Sequence, residues 1–326
     1  MTTSVPPKNA RYRGRFAPSP TGPLHFGSLI AALGSFLDAR ANGGDWLIRI
    51  EDLDPPREIP GAADHILSTL DALGFEWTGQ VLFQSTRHAA YEAALDALRT
   101  RGATFRCYCT RKEIAEVIAR RAPPAGAYRG VATPLHDVWA AREPVYPGTC
   151  RTNTTVRRRA FAERVHIDEV AMTFHDALQG TIEQDVTEEV GDFVLKRADG
   201  LFAYQLAVVV DDAYQDITNV VRGADLLDST PRQIFLGRAL GYAPIQYLHL
   251  PLAVNASGEK LSKQTRARAI DPAITPARTL CAALRFLGHD PPHEAISWAP
   301  RAVLAWGVAN WQRVKIPRTR ALQHLG

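Results

Sequence analysis

Two segments of the sequence carry residue types suited to phosphate chemistry. The first is Arg15-Phe16-Ala17-Pro18-Ser19-Pro20-Thr21-Gly22-Pro23-Leu24-His25-Phe26-Gly27-Ser28, in which a strand-forming run enters a proline-stiffened loop and then a long helical pattern. A helix start presents free N–H groups and the positive end of the helix dipole, which suits an anion. Gly27 lets an adenine or ribose approach the backbone, and His25 can donate to phosphate oxygens. The second segment, Gly258-Glu259-Lys260-Leu261-Ser262-Lys263-Gln264, sets two lysines around a serine in a polar loop. Lysines so placed can neutralise the charge that develops as pyrophosphate leaves. Taken singly, each has a plainer reading: a Pro-rich connection with an incidental histidine, and a solvated lysine loop.

A third group is sulfur. The chain has 4 cysteines, too few and too unevenly placed for a disulfide framework. Cys107 and Cys109 stand two apart in a strand-like run, so their thiolates point to one side and could share a tetrahedral metal with Cys150. Reduced thiols in a core are the alternative. Cys281, in the apolar helical stretch Pro276 to Leu287, reads as a small buried hydrophobe.

The elements that must position these residues begin in an alternating order. Tyr12 to Ala17 reads as a strand and His25 to Ala41 as a helix, with Phe26, Leu29, Ile30, Leu33, Phe36 and Leu37 at helical spacing. Trp46 to Glu51 reads as a second strand, followed by helices near Gly61 to Leu73 and Arg87 to Arg101. This βαβα order predicts an α/β fold with a parallel sheet covered by helices on both faces. Between Thr104 and Glu189 the alternation breaks, and the stretch, with a strand near Val165 to Ile167, reads as an insertion. Strands resume at Asp192 to Leu195 and Tyr204 to Val210, a helix spans about Thr230 to Leu240, and the part after Asp271 reads as helical. Leu280, Leu284, Leu287, Val303, Leu304 and Trp306 are the expected core of a small C-terminal bundle.

With 326 residues, 46% of them hydrophobic and 22% charged, the chain can bury a large core. No apolar run reaches the length of a membrane span, and Met1 to Ala10 is polar with no secretory h-region, so a cytoplasmic location away from membranes is expected. A formal net charge of +4 hardly favours nucleic acid by itself. From Ala295 to Gly326, however, there is no acid, while Arg301, Arg313, Lys315, Arg318 and Arg320 are basic. That end is either a solvated basic terminus or a surface facing a polyanion.

In this order, the two phosphate-suited segments resemble the HIGH and KMSKS signatures of class I aminoacyl-tRNA synthetases. Residues 15–22, together with Arg49-Ile50-Glu51-Asp52-Leu53-Asp54, resemble the opening of the glutamyl-tRNA synthetase group. Tyr204-Gln205-Leu206-Ala207-Val208-Val209-Val210-Asp211-Asp212, Val221-Arg222-Gly223-Ala224-Asp225-Leu226 and Ser229-Thr230-Pro231 are similar to the second half of that catalytic domain. The likeness covers about residues 11–270. It departs at Ser28, where the signature has His, and at Lys-Leu-Ser-Lys-Gln in place of Lys-Met-Ser-Lys-Ser.

The resemblance implies activation of L-glutamate by ATP, with Mg²⁺ on the phosphates, to a glutamyl-adenylate. It assigns His25, Gly27, Lys260 and Lys263 to ATP, His25 and Lys263 being catalytic. Arg15, Phe16, Ala17, Pro18, Ser19, Glu51, Tyr204 and Arg222 are assigned to glutamate. The residues alone leave Arg15, Arg222 and Glu51 equally open to structural ion pairs. After Gln264 only 62 residues follow, fewer than an anticodon-binding region of the glutamyl-tRNA synthetases needs. The shortened architecture resembles the glutamyl-queuosine branch, which attaches glutamate to the queuosine base of tRNA(Asp). ATP, L-glutamate and queuosine-containing tRNA(Asp) are then the implied partners of a monomer. A truncated enzyme that charges a tRNA 3′ end is the alternative, and a catalytically dead tRNA-binding module is a third reading against which His25 and Lys263 speak.

The same branch carries one structural Zn²⁺ held by cysteines and a tyrosine in a Tyr-x-x-x-Cys pattern, which Tyr146-Pro147-Gly148-Thr149-Cys150 matches. Cys107, Cys109, Tyr146 and Cys150 are the implied ligands, Tyr128 being the weaker candidate. The expected organisation is therefore a flexible N-terminus at 1–10, a Rossmann-like catalytic domain at 11–103 and 190–270, an inserted zinc-binding subdomain at 104–189 and a short helical region at 271–326.

Overall fold

The elements follow the chain as β1 (Arg13–Phe16), α1 (Phe26–Ala41), β2 (Asp45–Ile50), α2 (Ala62–Ala72), β3 (Leu82–Phe83) and α3 (His88–Thr100). The middle holds β4 (Thr104–Cys107), α4 (Arg111–Arg121), β5 (Ala162–Val165), β6 (Ala171–Asp176), β7 (Gly180–Asp185), α5 (Val186–Glu189) and β8 (Val194–Lys196). The rest comprises α6 (Tyr204–Tyr214), β9 (Asn219–Gly223), α7 (Thr230–Leu240), β10 (Gln246–Leu250), β11 (Leu252–Val254), α8 (Pro276–Phe286), α9 (Pro300–Asn310) and β12 (Ala321–Gln323). This computed structural model describes residues 11–121, 145–152, 160–168, 171–261, 269–271 and 274–324. Residues 1–10, Tyr128 and Lys263 lie outside the described residues.

The βα alternation read from the sequence is present, with boundaries shifted by a residue or two. β1, β2 and β3 pair in parallel, as do β9 and β10, and β10 with β6. The Thr218 amide donates to the Arg13 carbonyl at 3.0 Å, bringing the β9 end of one sheet against the β1 edge of the other. Helix α1 is enclosed along most of its length: Leu29, Leu33 and Leu37 have no exposure, and Ser35 and Asp38 are buried with them.

Three differences from the sequence reading have physical causes. Tyr204 to Val210 is helical, not a strand; a continuous apolar run has no period that separates a buried strand from a buried helix. As a helix it projects Asp211 and Asp212 about 100° apart, towards different partners. Strands β6 and β7, inside the stretch read as an insertion, extend the parallel sheet at β10, and it is β4, β5 and β8 that form a separate antiparallel sheet. Leu280, Leu284, Leu287, Val303 and Leu304 are buried, with Trp306 partly so, but they share one core with α1 rather than forming a bundle of their own.

Buried Asp38 of α1 fastens this C-terminal region. It accepts from Trp311 Nε1 at 2.9 Å and from Arg313 Nε and Nη2, both at 2.7 Å, and Tyr12 donates to it as well. Arg301 pairs with Glu76 at 3.1 Å. The basic end therefore commits Arg313 to a buried acid, whereas Arg301 and Glu76 form an exposed pair that leaves Arg301 at the surface. No helix among the described residues is long and apolar enough to cross a membrane.

Candidate active site and metal centre

One cavity of about 580 Å³ opens where β1, β9 and β10 end, the carboxyl edge at which open α/β sheets hold ligands. Arg15, Phe16, Ala17, Pro18, Ser19, Glu51, Tyr204 and Arg222 all line it, as do His25, Gly27 and Lys260. The chain thus gathers the sequence-derived glutamate and ATP residues that are described into a single space. Asp225 and Ser28 line it as well, and buried Arg49 and Asp212 pair with Glu51 and Arg15 of its wall; the sequence reading gives these four no role.

The buried charges form a linked set. Asp212 accepts from Arg15 Nε at 3.1 Å and Nη2 at 3.3 Å, and from Arg49 Nη1 at 2.7 Å. Arg49 Nη2 reaches Glu51 at 3.3 Å. Ion pairing is therefore real for Arg15 and Glu51, and both still line the cavity. Burial works against ionisation of Asp212, but Arg15 and Arg49 outweigh it and hold the carboxyl below its ordinary range. For Glu51, burial wins over Arg49 and Arg15 and pushes the carboxyl up, so a cationic ligand would find an acceptor in need of charge.

Arg222 is different. Its Nε lies 3.0 Å from His249 Nε2 and its Nη2 lies 2.8 Å from Thr230 Oγ1, while buried Nη1 has no hydrogen-bond partner. A buried guanidinium nitrogen left unpaired beside a cavity suits an incoming anion. Glu51 and Asp212 already pair with Arg49 and Arg15, whereas Arg222 keeps Nη1 for an anionic ligand.

His25 is the N-cap of α1. Its Nδ1 accepts from the Ser28 amide at 3.2 Å while Ser28 Oγ accepts from the His25 amide at 2.8 Å, a reciprocal capping box. This explains a serine where the signature has histidine, and in the neutral ring it fixes the proton on Nε2, the donor form. The second signature crosses the first. A Cβ on Gly27 would lie 2.9 Å from the Leu261 carbonyl, His25 bridges to Ala269, and the Ile270 amide donates to Leu24 at 2.9 Å. Leu261 on one side of Lys263 and Ala269 and Ile270 on the other thus meet the start of α1, and Lys260 pairs with Asp225 at the cavity wall. Gly27→Ala should force the Leu261 carbonyl away. We expect a roughly 10- to 100-fold slower ATP–pyrophosphate exchange with little change in denaturation midpoint; an unchanged rate would show that the close approach is dispensable.

A sequence profile described as tRNA synthetases class I (E and Q), catalytic domain, matches residues 11–289. The chain is also 54% identical over 310 residues to the glutamyl-Q tRNA(Asp) synthetase of Dechloromonas aromatica (strain RCB), covering 95% of this chain and 97% of that one. It belongs to the glutamyl-Q tRNA(Asp) synthetase family of class I tRNA synthetases. The protein of that name from Chromobacterium violaceum is likewise 54% identical, over 95% of this chain and 96% of its own. A crystal structure of glutamate-tRNA synthetase from Elizabethkingia anophelis shares the fold with a TM-score of 0.76 at 22% identity, covering 97% of this chain and 68% of that chain.

Beside this synthetase core, the Sγ atoms of Cys107, Cys109 and Cys150 lie within 4.8 Å of one another. Cys107 ends β4 and Cys109 stands just beyond it, so the turn into α4, rather than strand alternation alone, brings the sulfurs together. Cys109 Sγ is 3.5 Å from Cys150 Sγ, and Tyr146 Oη is 3.3 Å from Cys107 Sγ and 3.8 Å from Cys109 Sγ. A tetrahedral metal with thiolates at about 2.3 Å sets its sulfurs roughly 3.8 Å apart, so the cluster could hold one. Burial pushes the Cys109 thiol up to about 11. Such a thiol ionises readily only beside a cation.

Proposed function

We propose that this chain activates L-glutamate with ATP in the absence of tRNA and transfers the glutamyl group to the queuosine base of tRNA(Asp). The observation that carries the first step is the meeting of the two signatures over a cavity whose wall holds an unpaired guanidinium nitrogen on Arg222. The queuosine acceptor rests on the names of relatives 54% identical over nearly the whole chain.

In this reading Arg222 Nη1 takes a glutamate carboxylate and Glu51 takes the ammonium, leaving the α-carboxylate to attack the α-phosphorus of ATP. An O–P bond forms as the bond to pyrophosphate breaks. No protein nucleophile is needed, so positioning and charge neutralisation supply the catalysis. His25 donates to phosphate oxygens from the α1 cap, and Lys260 and Lys263 neutralise the departing pyrophosphate. Mg²⁺ accompanies the ATP phosphates. Cys107, Cys109, Cys150 and Tyr146 would hold one Zn²⁺ that fixes the turn after β4, a structural role because four protein ligands leave no open position.

Purified protein should catalyse glutamate-dependent ATP–pyrophosphate exchange with no tRNA present. Labelled glutamate should then pass to tRNA(Asp) bearing queuosine and not to the same tRNA bearing guanosine there. Label on the 3′ end instead would assign the chain to acceptor-end charging. For the metal, elemental analysis should find about one zinc per chain, lost in Cys109→Ser. Full zinc content in that variant would remove Cys109 from the ligand set.

A further inference from the structure

Behind Arg222, and outside the cavity wall, lies a pair of side chains with no exposure at all: His249 on β10 and Asp176 at the end of β6. A buried imidazole and carboxylate persist only if their polar atoms are satisfied. Asp176 Oδ2 lies 2.6 Å from His249 Nδ1, and Oδ1 accepts from the Leu178 amide at 3.0 Å and the Gln179 amide at 2.8 Å. The other ring nitrogen, Nε2, faces Arg222 Nε at 3.0 Å. A guanidinium only donates, so Nε2 must accept and the proton must sit on Nδ1, pointing at Asp176. The other tautomer, or an imidazolium, would set two N–H groups against each other. Burial and the charge of Arg222 hold His249 below its ordinary range, against the pull of Asp176. Thr230 Oγ1, 3.2 Å from the same Nε2, receives Arg222 Nη2 at 2.8 Å. With Nε and Nη2 both claimed, the plane of the guanidinium is fixed and Nη1 alone is left for a ligand.

We propose that Asp176 and His249 are positioning residues for glutamate binding: the carboxylate fixes the histidine tautomer, and the histidine orients Arg222 so that Nη1 meets a substrate carboxylate. This rests on the cavity being the glutamate site. Neither residue touches substrate, and their effect passes through Arg222.

Two substitutions at His249 separate orientation from packing. In His249→Gln an amide oxygen can stand near the place of Nε2 and accept from Arg222. In His249→Asn the shorter amide can still donate to Asp176 but reaches no further. The KM for glutamate in ATP–pyrophosphate exchange should rise on the order of tenfold or more in His249→Asn and recover most of the way in His249→Gln. The KM for ATP should change less than about twofold in both, because no ATP contact passes through Arg222. Asp176→Asn is the second line of test should His249→Asn not fold. Its amide N–H facing Nδ1 would drive the ring proton to Nε2, against Arg222, and raise the glutamate KM selectively. Wild-type glutamate KM in the folded variants, or a parallel rise of both KM values, would overturn the proposal. Absence of glutamate-dependent exchange in the unsubstituted protein is a separate result: it removes the reading of the cavity, and this inference with it.

Discussion

Arg222→Ala is expected to lower kcat/KM for glutamate in ATP–pyrophosphate exchange by roughly 10²- to 10³-fold, the scale on which removal of a positioned donor from a buried site acts. Arg222 contributes a nitrogen that is buried and without a partner, and its other nitrogens are held by His249 and Thr230. Arg222→Lys should recover little, since an ammonium cannot keep the forked contacts to His249 and Thr230 while reaching into the cavity. Saturation kinetics with varied glutamate and with varied ATP measure the effect. The loss should fall on the glutamate side, and an equal loss on both would point to general collapse of the site.

Asp212→Ala is expected to give the largest loss of stability, about 3 to 5 kcal/mol, the usual scale for removing one partner of a buried ion pair. The carboxylate is 5% exposed and is shared by Arg15 and Arg49, so both guanidiniums would be left in a space that cannot hydrate them. Chemical denaturation followed by far-ultraviolet circular dichroism measures this, and a change below about 1 kcal/mol would mean that water or Glu51 replaces Asp212. The same carboxylate sets an acid limit. Because its folded pKa is depressed, its contribution to stability is present above the unfolded value, near 4, and is lost as pH falls from there through the folded value. Stability of the unsubstituted protein should therefore decline more steeply below about pH 4 than that of Asp212→Ala.

Much of this architecture was legible in the order of residues. The period of Phe26, Leu29, Ile30, Leu33 and Leu37 marks α1, and prolines 18, 20 and 23 mark the loop before it, because helical spacing and proline geometry are local properties. The signatures named the residues near phosphate and glutamate for the same reason: their chemistry is written in residue type. Tyr204 to Val210 reads as a strand but lies within the helix Tyr204–Tyr214, because an apolar run gives no period. Arg49, Asp211 and Asp212 stood within quoted motifs without a role, although two adjacent acids in an apolar run must find buried cations. That hint was present, but it named no partner. Asp211 found Gln84, Arg87 and Tyr91, and Asp212 found Arg15 and Arg49.

What the sequence determined by itself was the family resemblance, the alternating α/β order and the inventory of groups able to hold phosphate, carboxylate and metal. Tertiary structure alone decided which of those groups are already paired. Arg15 and Arg222 are the same residue type with the same expected role, yet Arg15 is bound by an acid 197 positions away and Arg222 is held by a histidine that leaves one nitrogen unpaired. Pairing at such separations depends on strand order and helix rotation, which set distances and burial. In a low-dielectric interior those distances decide whether a guanidinium is part of the scaffold or available to a substrate.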